Sequence, residues 1–380
     1  MGTACVLGGS IAGLLAARVL ADYAEQVVIL ERDLLAVEPS VRPSVPQGRH
    51  GHFLQPEGLT LIEGWFPGFT REARSGGAVF GPPGHQSLFT DGEPVTFPDM
   101  TVLTASRPFL ENQLRRRVTA LANVRIVRGR ATGLRFDGRA VSGVVHGKYR
   151  AGQWSAGHIL DADVTVDAMG RGSRLSHWLA EDGRSAPGVE RVPVRVSYAT
   201  AAFSRPSAPR EPVTATALHQ FTEPPTDDRR PHAADGPGLA AIAIYAVEGD
   251  RWQVVAMTYS RNQVPTTASD LRSLCASLPP VFREATSGDP IGEAATFFYR
   301  DSRRRQISDP ESCPAGLVSV GDSAASFNPV HGLGMSSAAA QAAILAGPFT
   351  TDGDPAAQTA GLIRQQQKVI DEKWKANAGT

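Results

Sequence analysis

The sequence predicts an α/β fold in which a mostly parallel sheet is interrupted by an inserted antiparallel one. Three observations predict it. Residues 3–33 run in the order apolar strand, glycine turn, alanine- and leucine-rich helix, apolar strand. From about residue 187 to 303 the texture changes to alternating apolar and polar segments, as in a half-buried antiparallel sheet. At 317–345 a strand, a glycine turn and a helix return, so the antiparallel part sits inside the first unit.

Each element has its own signal. Ala4-Cys5-Val6-Leu7 is a strand, Gly8-Gly9-Ser10-Ile11-Ala12-Gly13 a turn, and Val27-Val28-Ile29-Leu30 a second strand that ends on Glu31-Arg32. This is the order of a dinucleotide-binding βαβ unit. Adjacent glycines let the chain turn tightly, and Gly13 lets the helix lie close on the sheet. The free N–H groups at the helix start suit a pyrophosphate, and Glu31 suits a ribose. Ser10 stands where the fingerprint has its middle glycine. A proline-bearing stretch, 39–46, leads into Arg49-His50-Gly51-His52. A helix over 55–65 follows, with Leu59, Ile62 and Phe66 on one face. Residues 76–99, rich in Gly and Pro, read as an excursion into another sheet. Arg107-Pro108 precedes a helix over 109–121, and 124–127, 131–136, 141–145 and 164–167 read as strands. In the inserted part, 194–203, 239–247 and 252–259 read as strands, 223–238 as a polar loop and 269–278 as a helix. After it come the strand 317–320, Gly321-Asp322, a second glycine turn at 328–335 and a helix over 336–345. The expected division is therefore 1–75, 100–187 and 304–380 for the nucleotide domain, with 76–99 and 188–303 forming a substrate domain.

The totals narrow the function. The 380 residues carry 38 basic and 38 acidic side chains, so no global field attracts nucleic acid. Cys5, Cys275 and Cys313 are odd in number and widely spaced, with no metal motif and no disulfide framework. That pattern fits a reducing cytoplasm. The apolar start lacks a basic leader and reads as the βαβ unit rather than a signal peptide. No stretch is long and apolar enough to span a bilayer. His50 and His52 form a lone H-x-H, a weak metal signal beside the readings as loop residues or as groups near a cofactor. Arg303-Arg304-Arg305 reads as a solvated or sheet-edge run. Phe203, Tyr245, Tyr259 and Phe297-Phe298-Tyr299 read as sheet core or as lining of a substrate site.

Four separated motifs stand in order: Gly8–Gly13 with Glu31; Arg107; Asp167-Ala168-Met169-Gly170-Arg171-Gly172-Ser173; and Gly321-Asp322 with Pro329 and Gly332-Leu333-Gly334-Met335. Together they resemble the single-component (group A) FAD-dependent monooxygenases of the p-hydroxybenzoate hydroxylase fold. The stretch 45–52 and the turn 170–174 look closest to the polyene epoxidases of polyether pathways. The resemblance implies an FAD-binding Rossmann-like domain with an inserted antiparallel substrate domain. It implies that NAD(P)H supplies electrons and that one oxygen of O₂ reaches a hydrophobic small molecule through a C4a-hydroperoxyflavin, by epoxidation or hydroxylation.

The resemblance also assigns residues. Gly8, Gly9, Ser10, Ile11, Ala12 and Gly13 match the pyrophosphate turn, and Glu31 and Arg32 the adenosine end. Arg49 and His50 match basic contacts near the flavin, and Arg107 the arginine that reaches the cofactor. The backbone of Ala131 matches a contact to adenine. Asp167 and Gly170 fall in the motif credited with FAD and nicotinamide contacts, altered here to Met169-Gly170-Arg171. Asp322 matches the ribityl ligand, and Pro329, Gly332, Leu333, Gly334 and Met335 the turn beside the isoalloxazine. A reductase or dehydrogenase without oxygen insertion, a halogenase and a non-catalytic FAD-binding protein are the alternatives. The halogenase reading needs an early lysine and a W-x-W segment. The first lysine here is Lys148, and no two tryptophans stand two apart.

Overall fold

The computed structural model describes residues 1–52, 54–96, 100–150, 152–155, 157–206, 212–218, 239–259, 265–346 and 354–378. The polar loop expected at 223–238 lies outside them. Five parallel strands form the first sheet, in the order Val124–Asp137, Gln26–Glu31, Thr3–Leu7, Val164–Asp167 and Leu317–Ser319. Their side chains alternate between two apolar layers, as strand periodicity requires. Ala4, Val6, Val27 and Ile29 meet the helices Ile11–Leu20 and Arg107–Thr119. Cys5, Leu7 and Leu30 face Val144 and Trp178 on the other side. There the antiparallel strands Ala140–Arg150 and His158–Asp161 extend the sheet.

The expected strands 124–127 and 131–136 are one strand, Val124–Asp137. Its first half pairs in parallel with Gln26–Glu31 and its second half turns away to pair with Ala140–Arg150. A register shift between Ala131 and Gly133 accommodates the change of partner.

The second sheet has eight strands, in the order Ala325–Ser326, Pro290–Gln306, Gly188–Ser204, Arg251–Thr258, Leu239–Val247, Thr214–Leu218, Gln86–Thr90 and Glu93–Val95. Of the expected 76–99 excursion, Gln86–Thr90 and Glu93–Val95 join it, through a parallel pair between Gln86–Thr90 and Thr214–Leu218, whereas Val79–Gly81 pairs with Val102–Thr104 in a separate two-stranded sheet and 97–99 lie outside the described residues. One face is covered by the helices Ala268–Ala276 and Pro280–Ala285, whose Leu271, Cys275 and Phe282 are fully buried against it. Phe203 belongs to that layer, with no exposed surface. It is therefore core and not lining of a substrate site: from Tyr198 to Phe203 is an odd number of residues, so the two rings fall on opposite faces. Tyr198, Tyr245, Tyr259, Phe297 and Tyr299 share the other face.

Several elements were not expected, among them the following three. The helix Phe69–Ser75 restarts after Pro67 on a left-handed Gly68 (φ 82°). The strand Pro290–Gln306 is masked in sequence by its charges, and the helix Pro355–Ala378 packs Ile370 and Trp374 against Phe327. The arginine run is not solvated. Arg304 pairs with Glu190 (2.6 Å) across the sheet and with Asp371 on the last helix, and Arg305 lies 3.8 Å from Asp167. Among the described residues no helix is long and apolar enough to cross a membrane.

Candidate functional site

The site begins where the first strand ends. Gly8 has φ 104°, and a Cβ there would lie 2.6 Å from the carbonyl oxygen of Ala168. A Cβ on Gly13 would lie 1.8 Å from the carbonyl oxygen of Gly8. Both glycines are thus required by packing. The helix Ile11–Leu20 starts at this turn with its N-terminus facing out of the sheet edge. Ser10 is its N-cap but makes no capping bond. Its hydroxyl donates to Glu111 Oε2 (2.6 Å) and accepts from Arg107 Nη2 (3.3 Å).

Beside the turn lies a buried cluster that sequence reasoning missed. Arg42 is 4% exposed and sits among three carboxylates. Its guanidinium meets Glu111 Oε1 at 2.7 Å, Glu31 Oε2 at 2.9 Å and Asp33 Oδ2 at 3.5 Å. Burial opposes its charge, but Glu111 and Glu31 outweigh this and hold its pKa above the ordinary value. Glu31 Oε2 also accepts from the Gly9 N–H and Oε1 from the Asp33 N–H, both at 2.8 Å. A carboxylate has about four lone-pair sites, so Oε1 keeps room for one further donor, such as a ribose hydroxyl. A cavity of about 440 Å³ opens next to it, lined by Glu31, Asp33, Val37, Asn112, Arg115 and Arg128. Arg42 carries no motif signal: it is one arginine among many in a proline-bearing loop.

Beside the start of the first helix stands Asp322. Gly321 precedes it with φ 62°, and a Cβ there would lie 2.6 Å from Ala12 Cβ, so the turn rests on the start of the first helix. Gly321 N–H is held by Gln341 Oε1 (2.9 Å). Burial raises the Asp322 pKa, opposed by the charges of Arg107, Arg171 and Arg303. Gly170 (φ 65°) lies against Asp322: a Cβ there would stand 3.9 Å from Asp322 Cβ, in ordinary contact. Arg107 places its Nε in a buried position with no hydrogen-bond partner among the described residues. Then Pro329–His331 forms one tight turn, Gly332 is left-handed (φ 64°), and a helix runs Gly334–Ala343, two residues earlier than expected. Val330 of this turn packs against the tyrosine face of the second sheet.

His50 lies against the tyrosine face of the second sheet. It is 5% exposed, its Nδ1 lies 2.8 Å from Thr200 Oγ1, and its ring packs by Tyr198 and Phe297. Burial, aided by Arg49, lowers its pKa to about 4, so it is neutral at pH 7. His52 Nδ1 must donate to the His50 carbonyl (2.8 Å), which fixes its tautomer; burial and the Arg107 charge lower its pKa to about 3. Tyr198 has a buried hydroxyl without a partner among the described residues.

The structure brings together Gly8–Gly13, Glu31, Arg107, Gly170, Asp322 and the 329–335 turn. Other expected contacts it places elsewhere. Asp167 is fully buried, and its carboxylate is taken by Ser173 Oγ (2.5 Å), the Met169 N–H (3.1 Å) and Ser319 Oγ (3.4 Å), so it shapes the turn instead of facing a ligand. Arg32 and Arg49 are exposed, and among the described residues Arg49 accepts through its carbonyl from Gln253. Ala131 lies at the strand irregularity among the apolar layer of Leu7 and Leu30.

The His50 environment predicts a pH effect. Its folded pKa near 4 lies below the usual 6.5, so its contribution is complete above about pH 6.5 and lost as pH falls toward 4. At about 1.4 kcal/mol per unit this amounts to roughly 3 kcal/mol. Urea midpoints across that range should fall more steeply for the wild type than for His50→Asn; parallel profiles would refute the assignment.

No family model matches the chain. Among curated proteins it is 33% identical, over 397 aligned positions, to Protein Rv3254 of Mycobacterium tuberculosis, covering 99% of this chain and 79% of that one. Among solved structures it superposes on PqsL of Pseudomonas aeruginosa, described as a probable FAD-dependent monooxygenase, with TM-score 0.70 and 17% identity over 98% of this chain and 94% of that one. 2-Methyl-3-hydroxypyridine-5-carboxylic acid oxygenase gives 0.68 and 17% over 98% and 88%. The flavin-dependent brominase Bmp2 gives 0.67 and 15% over 97% and 82%. The chain therefore has the α/β fold of the p-hydroxybenzoate-hydroxylase-type flavoproteins, and it belongs to the same family as Rv3254.

Proposed function

We propose that this chain is an FAD-dependent monooxygenase that inserts one oxygen atom of O₂ into a hydrophobic small molecule, with NAD(P)H as the electron donor. The observation that carries the reading is the juxtaposition of an uncapped helix N-terminus, an Arg107 whose Nε is buried without a partner among the described residues, and the carboxylate of Asp322, which feels the Arg107 charge. These features fit FAD. The N–H groups after Ser10, with Arg107, suit the diphosphate. Glu31 has one acceptor position left for the adenosine ribose, beside a cavity of suitable size, and Asp322 suits the ribityl hydroxyls.

When bound, FAD supplies the oxygen chemistry, and the protein orients the partners and excludes water. The helix Gly334–Ala343 has its positive end at the 329–335 turn, where an electron-rich ring edge would be stabilised. Tyr198, Tyr245, Phe297 and Tyr299 form an apolar face opposite that turn, which suits an uncharged substrate. The brominase Bmp2 has the same fold, but this chain has no lysine before Lys148 and no paired tryptophans.

Two measurements test the reading. The purified protein, given FAD and re-purified, should retain flavin absorbance; none retained overturns it. NAD(P)H oxidation in air should then be stimulated by a member of a panel of alkenes and phenols, with a product heavier by one oxygen. Asp322→Ala should weaken FAD binding by about 10- to 100-fold, the worth of hydrogen bonds to a charged group. An unchanged dissociation constant would remove Asp322 from the site.

A further inference from the structure

We infer that Glu111 is a positioning residue that keeps the N-terminus of the first helix open for a diphosphate, by holding the Ser10 hydroxyl away from it. The inference rests on the reading of that helix end as the diphosphate seat.

Serine is among the residues most favoured at a helix N-cap, because its oxygen accepts from the N–H of the second or third helical residue. Ser10 has the backbone of such a cap, with φ −92° and ψ −175°, yet makes no capping bond. Its hydroxyl is engaged elsewhere. It donates to Glu111 Oε2 at 2.6 Å, and Arg107 Nη2 approaches its lone pairs at 3.3 Å. Glu111 is 5% exposed, and its other oxygen is held by Arg42 Nε at 2.7 Å. An ionised carboxylate only accepts, so the proton between them belongs to Ser10. The hydroxyl therefore points at the helix Arg107–Thr119 and not at its own helix.

The consequence falls on the N–H groups of Ala12 and Gly13. In the usual fingerprint a glycine stands at position 10, with no hydroxyl to compete for them. A free serine would cap those donors itself and oppose an incoming diphosphate. Glu111 removes that competition. A residue in contact with neither ligand nor reaction thereby compensates for the departure from the glycine pattern.

A double-mutant cycle tests this. FAD dissociation constants are measured by flavin fluorescence quenching on titration into flavin-free wild type, Ser10→Gly, Glu111→Ala and the double variant. The thermal midpoint of each flavin-free protein is recorded separately. Ser10→Gly alone should bind within about threefold of wild type, because its hydroxyl serves no ligand. Glu111→Ala should bind about tenfold more weakly or worse, through a self-capped Ser10. The double variant should recover affinity to within about threefold of wild type while keeping the lowered thermal midpoint of Glu111→Ala. A merely structural role for Glu111 would show no such rescue, since removing a hydroxyl cannot restore lost packing. Wild-type affinity in Glu111→Ala, or a double variant as weak as Glu111→Ala, overturns the inference. If Glu111→Ala does not fold, Ser10→Gly and Ser10→Ala still decide: a loss of tenfold or more means that the hydroxyl binds the ligand directly, which also overturns it. A wild type that binds no FAD refutes the functional reading, whereas a binding wild type with no rescue refutes this inference alone.

Discussion

Arg42→Met should lower the free energy of unfolding by about 3–5 kcal/mol, the cost of removing one partner from a buried ion cluster. Arg42 is the guanidinium shared by Glu31, Asp33 and Glu111, two of which lie within 3 Å of it. Glu31 and Glu111 are 3% and 5% exposed, so neither can turn to water when the arginine is lost. Three carboxylates would remain close together, compensated by backbone N–H groups, the hydroxyls of Ser10 and Ser44 and the more distant charges of Arg107 and Arg115. Such groups resist ionisation, and their folded-state pKa values rise above those of the unfolded chain. The sign follows: the deficit of the variant should be largest at pH 8 and shrink at pH 5, where protonation becomes possible in the fold. Urea unfolding at both values measures it. Arg42→Lys, which keeps a charge but loses the fork that reaches three acceptors, should recover part of the loss. A deficit below about 1 kcal/mol, or one independent of pH, would show that the cluster is a loosely solvated surface network.

Gly13→Ala should cost about 3 kcal/mol and abolish FAD retention, at the severe end of overpacking. The added methyl would stand 1.8 Å from the carbonyl oxygen of Gly8, a backbone atom at the turn itself. It can be relieved only by lifting the helix Ile11–Leu20 from the strand or by moving Gly8. Gly8 is fixed in turn by its positive φ and by its bond from N–H to Leu30 O (2.9 Å). Either movement displaces the N–H groups that the proposed site depends on. Gly361→Ala is the contrast. It lies inside the helix Pro355–Ala378 with open space around its Cβ position, so alanine should stabilise by about 0.5–1 kcal/mol. Thermal and urea unfolding of the two variants, with flavin content after re-purification, separates them. Gly13→Ala that folds and keeps FAD like wild type would disprove the close packing assigned to the turn.

The sequence by itself determined the nucleotide half of the fold. Strand, turn, helix and strand at residues 3–31 are local patterns; Gly13 is required by a contact with Gly8, and Gly8 by its own positive φ, although the Ala168 carbonyl that Gly8 also meets is brought there by the fold. Asp322 was legible for the same reason, since a strand and a glycine place it at a sheet edge. The tertiary structure alone decided the rest. Arg42 and Glu111 are 69 residues apart, and Ser10 and Glu111 are 101 apart. No local spacing encodes a pairing that exists only once the helix Arg107–Thr119 lies against the glycine turn. Asp167 lies in a motif that pointed to a ligand, but in the fold its carboxylate turns inward to Ser173 and Ser319. The strand Pro290–Gln306 was hidden because its charges meet partners on neighbouring elements, such as Glu190 and Asp371 for Arg304. Strand periodicity set Phe203 and Tyr198 on opposite faces, but only the packing of two helices on one face decided which ring would meet His50 and Val330. A short-range pattern fixes where the backbone turns and which side a residue takes; what stands on that side is fixed by contacts made far along the chain.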